Sequence, residues 1–252
     1  MKSMKINKTP GSDGLTKEFY EFFWPDISEM LIESYNYSFH IGHLSCEQRR
    51  GIIRLIPKKS KDLINLKNWR PISLINFDTK LITQCLAQRF QIVLPKIISP
   101  DQNGFIKKRF IGHNIRTLID CIDHLNRENK EGILAFIDFE KAFDKIDWQF
   151  IDKCLESYNF GPNVRRWINV FYNDIESCVI NNGFTSRYFK IKNGVRQGDP
   201  LSALLFIIGV EILSNALKNN SNIKGIKINN TETKVSLLED DTFLVLLDIC
   251  SL

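Results

Sequence analysis

Two apolar runs in this chain carry carboxylates in the places where a packed strand tolerates them least. ILAFIDF, residues 133–139, holds Asp138, and VSLLEDDTFLVLL, residues 235–247, holds Glu239 and the adjacent pair Asp240-Asp241. Short runs rich in β-branched and aromatic residues read as strands. An ionised carboxylate among such neighbours costs several kcal/mol, in rough terms, unless it is paired or meets a cation. Two neighbouring aspartates also repel each other, and a divalent ion relieves that repulsion. Mg²⁺ takes hard oxygen ligands and commonly shares them with substrate phosphates. Three aspartates on two strand segments therefore point to a two-metal phosphoryl-transfer site. The competing reading of the pair alone is a surface turn that happens to contain Asp-Asp.

The remaining pattern mixes both element types. Gly51–Pro57 and Arg70–Leu74 read as short strands, flanking a basic polar loop at 58–68. Leu81, Cys85, Leu86, Phe90 and Val93 have helical spacing, and the helix is expected to end before Pro95. A helix is expected over 111–127. Another begins near Trp148 and stops at Gly161-Pro162, where Pro162 opens the next. Val179–Ile191 reads as a hairpin about Asn181-Asn182-Gly183. Asp199-Pro200 supplies a cap and first turn for a helix to about Lys218, whose apolar stripe includes Leu201, Leu204, Leu205, Ile208 and Ile212. Strands are expected at 223–230, 234–238 and 242–247. Hairpins together with crossovers favour an α+β fold with a mainly antiparallel sheet.

Charge divides unevenly. Residues 1–131 hold 21 Lys/Arg against 14 Asp/Glu, whereas the remainder hold 13 against 15, which points the first part toward an anionic partner. The steepest patch is Arg49–Arg70, where eight basic residues meet one acid, Asp62. The six cysteines are far apart, with no C-x-x-C pair, and read as reduced thiols. His40, His43 and Cys46 have ligand-like spacing but no fourth ligand nearby. The lysine-rich N-terminus lacks the apolar core of a targeting signal, and the apolar run Ala203–Val210 is too short to span a bilayer, so no membrane association is expected.

Five segments, taken in order, resemble the reverse transcriptase of non-long-terminal-repeat (LINE-type) retrotransposons: TPGSDGLTKEFY, RLIPKKSKDLINLKNWRPISLIN, DQNGFIKKR, FIDFEKAFDKIDW and NGVRQGDPLSALLF. The resemblance runs from about residue 9 to residue 247. It implies a right-hand polymerase of fingers and palm, with an antiparallel palm sheet backed by helices. Residues 1–132 would be fingers-like, interleaved with a palm helix at about 77–95. Residues 133–252 would form the palm, with the thumb missing and the element truncated. It implies RNA-directed DNA synthesis from dNTPs on an RNA template and a DNA primer, with two Mg²⁺ ions (or Mn²⁺ in their place), and action on nuclear DNA.

By the same resemblance Asp138, Asp240 and Asp241 are the metal-binding catalytic aspartates. Phe143 is the ring beneath the incoming sugar, although core packing would explain it equally well. Lys58, Arg70 and Arg54 are finger contacts to the triphosphate, a task suited to the planar fork of arginine. Gln197 and Gly198 belong to the loop beside the nascent base pair. Gly194 and Gly198 would let that loop come close to the nucleotide. Gln102-x-Gly104-Phe105 looks like a template-side segment, with Lys107–Arg109 within reach of phosphates. Asp144 acquires no role. Where the family has aromatic-Ala-Asp-Asp, this chain has Leu238-Glu239-Asp240-Asp241, so Glu239 puts a third negative charge where a small residue normally packs. That departure keeps a second reading open, an inactive relic or nucleic-acid-binding domain. A palm related to group II intron maturases is a third.

Overall fold

A computed structural model describes Met1 and residues 3–247; Cys250, one of the expected thiols, lies outside the described residues. The chain forms two compact units, and it enters each of them twice. One comprises Met1–Gln88 with Phe143–Ser202, the other Arg89–Ala142 with Ala203–Leu252.

The elements in chain order are α1 (Lys17–Phe22), α2 (Trp24–Ile41), α3 (Cys46–Arg49), β1 (Arg50–Pro57), β2 (Trp69–Ile75), α4 (Phe77–Ile97), α5 (Gly112–Glu128), β3 (Ile133–Ile137), α6 (Ala142–Lys145), α7 (Trp148–Ser157), α8 (Pro162–Tyr172), β4 (Glu176–Asn181), β5 (Phe184–Thr185), β6 (Phe189–Lys190), α9 (Ser202–Asn219), β7 (Ile226–Ile228), β8 (Thr231–Thr233), β9 (Val235–Leu238) and β10 (Asp241–Leu246). The fold is α+β, with mostly antiparallel sheets backed by helices.

In the first unit β1 is central. It pairs antiparallel with β2 over seven residue pairs, from Gly51↔Ile75 to Pro57↔Trp69, and parallel with β4. The aromatic N-terminal helices cover the start of α4. Tyr20, Phe77 and Leu81 are buried together, Phe19, Trp24 and Leu31 pack against them, and the Tyr20 and Phe77 rings lie 5.0 Å apart. Aromatic pairs at that spacing add about 1 kcal/mol to the burial itself.

In the second unit β10 lies between β3 and β9, and both pairings are antiparallel. Cys121 and Leu125 of α5, Ile226 of β7 and Val245 of β10 form its buried centre. Helix α9 is long and apolar enough to cross a bilayer by length and composition, and its Leu204, Leu205, Ile207 and Ile208 are core residues here.

Two expectations need correction. Helix α4 runs through Pro95 to Ile97, because proline removes one helical hydrogen bond and the next turn still closes with Ile98 N–H on the Leu94 carbonyl, 2.9 Å. The strand expected over 223–230 is instead a hairpin, β7 and β8, which reverses at Asn229 with φ +53°. Asparagine is among the few residues that accept that conformation readily.

Candidate active site

Strand β3 stops at Ile137, so Asp138 is the first residue beyond the strand and not within it. Its exposure removes the desolvation that an interior position would impose. The last paired residues at that end of the sheet are Ile137 and Thr242. One further step in antiparallel register sets Asp138 opposite Asp241. Facing residues of neighbouring strands have Cβ atoms about 5 Å apart. Asp240 sits in the two-residue connection between Leu238 and Asp241, which are themselves paired. The register of a three-stranded sheet thus delivers all three carboxylates to one corner.

The electrostatics agree. Burial holds the half-buried Asp240 above the ordinary carboxylate range, and the charges of Asp241 and Asp138 push it further up. Glu239 is raised for the same reasons, burial first and then Asp240 and Asp241. Negative charge accumulates here with no basic side chain among the causes. Among the described residues, no three Asp, Glu, His or Cys side chains are gathered closely enough to enclose a metal ion. The donors are nevertheless all carboxylate oxygens, the chemistry a hard divalent cation takes.

The candidate nucleotide-binding residues lie in the first unit. Alternation along a strand puts Arg54 and Ile56 on one face of β1, and the register adds Ile72 and Arg70 of β2 to that face. Lys58, whose N–H bonds the Asn68 carbonyl at 2.8 Å, continues the series by one rung. Arg54 and Arg70 are exposed and Lys58 half-buried, and none of the three forms an ion pair among the described residues. A cleft of about 840 Å³ opens on this face, lined by Lys5, Lys8, Lys17, Arg54, Lys80 and Gly198, with no carboxylate among its lining residues. Lys80 escaped the sequence reading because it falls on a helix with ordinary amphipathic spacing. Burial lowers its ammonium below the usual lysine range, and Asp199 and Asp13 partly offset that.

The loop at 193–199 is bound to its neighbours by backbone. The Gln197 carbonyl accepts from Ser73 N–H at 2.8 Å, and Val195 N–H donates to the Phe143 carbonyl at 2.7 Å. Gly194 and Gly198 have φ of +85° and +112°; a Cβ would come within 2.6 Å of the Asp144 carbonyl oxygen at the first and 2.8 Å of the Ser73 carbonyl oxygen at the second. Glycine serves here to pack the loop against protein backbone. Asp144 now has a contact: its carboxylate accepts from Gln197 Nε2 at 3.3 Å. Buried Arg196 donates to the Arg49 carbonyl at 2.8 Å, and Asp199 accepts from Leu201 N–H at 2.9 Å ahead of α9. The Phe143 ring is half-buried.

Arg109 departs from expectation. Its guanidinium donates to the carbonyls of Ser99 (2.5 Å), Gln102 (2.6 Å), Ile98 (2.7 Å) and Pro95 (3.5 Å), which leaves Lys107 and Lys108 as the exposed cations of that segment.

Residues 56–248 match the reverse transcriptase (RNA-dependent DNA polymerase) family. This chain belongs to that family. Its sequence is 34% identical over the full chain to an uncharacterized 149 kDa protein of transposon TX1 from Xenopus laevis, covering 19% of that protein. It is 27% identical, over 94% of the chain, to a Pol polyprotein of the R2 retrotransposable element from Popillia japonica, covering 32% of that protein. The chain is thus a reverse transcriptase domain of the LINE-type kind, spanning between a fifth and a third of these relatives. Telomerase from Candida albicans, solved in complex with a fragment of telomeric RNA, shares the fold over 90% of this chain and 43% of its own length, at TM-score 0.54 and 14% identity. Apo telomerase from Candida tropicalis does so over 91% and 49%, at TM-score 0.53 and 12% identity.

Proposed function

We propose that this reverse transcriptase domain extends a DNA primer on an RNA template by two-metal nucleotidyl transfer, with Asp138, Asp240 and Asp241 holding two Mg²⁺ ions. The observation that carries this reading is the β3–β10 register, which aligns Asp138 with Asp241 beside Asp240. The donors at this corner are carboxylate oxygens, the ligands Mg²⁺ takes, and in such sites substrate phosphates and water complete its shell. When bound, the ions would activate the primer 3′-hydroxyl and stabilise the departing pyrophosphate. Arg54, Lys58 and Arg70 are assigned to the triphosphate. An exposed guanidinium fork with no ion pair among the described residues suits paired phosphate oxygens. Phe143 is assigned to the sugar, and Gln197 and Gly198 to the nascent pair.

The deciding experiment is Asp240→Asn, read by Mg²⁺-dependent dNTP incorporation on an RNA template. The expected result is loss of incorporation by a factor on the order of 10³ or more, since a metal ion supplies several kcal/mol of transition-state stabilisation. Unchanged incorporation removes the metal assignment.

Glu239 favours a second reading, a domain that binds nucleic acid without catalysis, because it adds a third carboxylate to the corner. Primer extension by Glu239→Ala beside the natural chain separates the two. Activity that appears only after the substitution establishes the second reading.

A further inference from the structure

The turn that bears Asp240 is held by a side chain from a distant segment. Residues 101–103 add one parallel rung to the free edge of β9: Leu237 N–H donates to the Asp101 carbonyl at 2.9 Å, and Asn103 N–H to the Leu237 carbonyl at 3.0 Å. The rung buries Gln102 completely, with 0% exposure. Its carboxamide meets both backbone polar groups of Glu239. Oε1 accepts from Glu239 N–H at 3.1 Å, and Nε2 donates to the Glu239 carbonyl at 3.2 Å. The same Oε1 accepts from Gly104 N–H at 2.7 Å.

Glu239 needs such support. Its φ is +59°, in the left-handed region that a β-carbon disfavours by roughly 1–2 kcal/mol. A residue in that state persists where its surroundings over-determine it. Gly104 supplies the opposing wall: a Cβ there would lie 2.4 Å from Glu239 N and 2.9 Å from its Cα. The clamp is itself braced. Asn114 Nδ2 donates to the Leu237 carbonyl at 2.9 Å and to Ser236 Oγ at 2.8 Å, while Arg109 fixes the Ser99 and Gln102 carbonyls. Buried Glu211 accepts from Ser99 N–H at 3.1 Å.

We infer that Gln102 is a positioning residue for the carboxylate corner, setting where Asp240 and Asp241 point by fixing the backbone of the residue before them. This rests on the metal-site reading above. It also reassigns Gln102 from the template side, since a side chain with no exposure cannot touch a strand. Outer residues that orient metal ligands typically contribute 10–100-fold to metal affinity.

The test uses the 252-residue chain with Mn²⁺ as the probe, titrated by electron paramagnetic resonance, with far-UV circular dichroism recorded for every variant. Gln102→Met keeps the volume but loses both bonds to Glu239. Gly104→Ala pushes on the turn from the other side and leaves the carboxamide in place. Each is expected to weaken Mn²⁺ binding about tenfold with an unchanged spectrum, and natural affinity in either folded variant overturns the clamp. In the unmodified chain the Glu239 and Gly104 amides should exchange slowly with deuterium; fast exchange overturns it even if neither variant folds. Asp240→Asn separates this inference from the reading beneath it. Unchanged Mn²⁺ affinity in that variant defeats the metal site, while protected amides would leave the clamp standing.

Discussion

The β1–β2 hairpin and the β9–β10 hairpin carry opposite charges and hold them in opposite ways. On β9–β10 the acids sit at a two-residue turn whose central backbone is bonded by a buried glutamine from 137 positions away in sequence. On β1–β2, Arg54 and Arg70 project from seven regular antiparallel pairs, with no ion pair to restrain them among the described residues. The contrast matches what each is proposed to bind. A small divalent ion demands oxygens at fixed distances, so the backbone beneath them must not drift. A triphosphate is large and adaptable, and long basic side chains can follow it.

The largest expected effect breaks or confirms this division directly. In primer extension on an RNA template, Asp138→Asn and Asp241→Asn should lower kcat by on the order of 10³ or more. Arg70→Ala should instead raise KM for dNTP by about 10-fold to 100-fold, the worth of a charge-assisted hydrogen bond or two. Steady-state kinetics at varied dNTP separates the two outcomes. A kcat collapse in Arg70→Ala with KM unmoved would show that the hairpin acts on the chemistry and not on binding.

A smaller effect compares two arginines. Arg109 spans four carbonyls at the end of α4, whereas Arg54 is exposed on β1. Urea unfolding should show Arg109→Ala destabilised by about 2–3 kcal/mol, as expected when hydrogen bonds to a charged donor are removed. Arg54→Ala should stay within about 0.5 kcal/mol of the natural chain. Arg109→Lys should recover little, because an ammonium cannot span carbonyls that a planar fork reaches together. Equal costs for the two alanine variants would erase the proposed difference between braced and free charge.

The same contrast explains what the sequence made legible. Strands β1, β2, β3 and β10 were readable because alternation and apolar runs are local signals. Asp138 and the Asp240-Asp241 pair stood out because carboxylates in such runs are anomalous. The continuation of α4 past Pro95 was hidden, since what steadies its last carbonyls is a guanidinium 14 positions away at Pro95 and 11 at Ile98. Gln102 read as part of a template-side segment, because nothing nearby in sequence reveals a partner in the β9–β10 turn. Lys80 was concealed by a regular helix. Local pattern reveals which backbone forms; it does not reveal which side chain crosses to another element.

Glu239 sharpens the comparison at about 1 kcal/mol. Glu239→Gly keeps the turn but removes the β-carbon from the left-handed conformation, and should stabilise the chain by about that amount in urea. Glu239→Ala removes the charge and keeps the β-carbon, so its stability should change by less. Alanine gaining as much as glycine would mean that crowding of carboxylates, and not backbone conformation, is the strain in the turn.

The smallest effect concerns a charge pair that belongs to neither hairpin. Asp152 accepts from Arg165 Nε at 2.9 Å and Nη2 at 2.7 Å, a two-pronged pairing across α7 and α8. That hydrogen bonding holds Asp152 below its ordinary value of 3.8. A carboxylate depressed in the folded state stabilises it fully above the unfolded value, and the stabilisation fades as pH falls through the folded one. Asp152→Asn should therefore lower Tm by about a degree or two at pH 7, the size expected of a partly solvated pair. The gap should hold down to about pH 5 and close below the unfolded value as the natural carboxylate takes up its proton. Salt should shrink it as well, because partly exposed pairs are screened over about 8–10 Å at moderate ionic strength. A gap that persisted at pH 2 would mean the substitution acts through packing between α7 and α8, and the pair could no longer serve as the neutral reference for charge at the two hairpins.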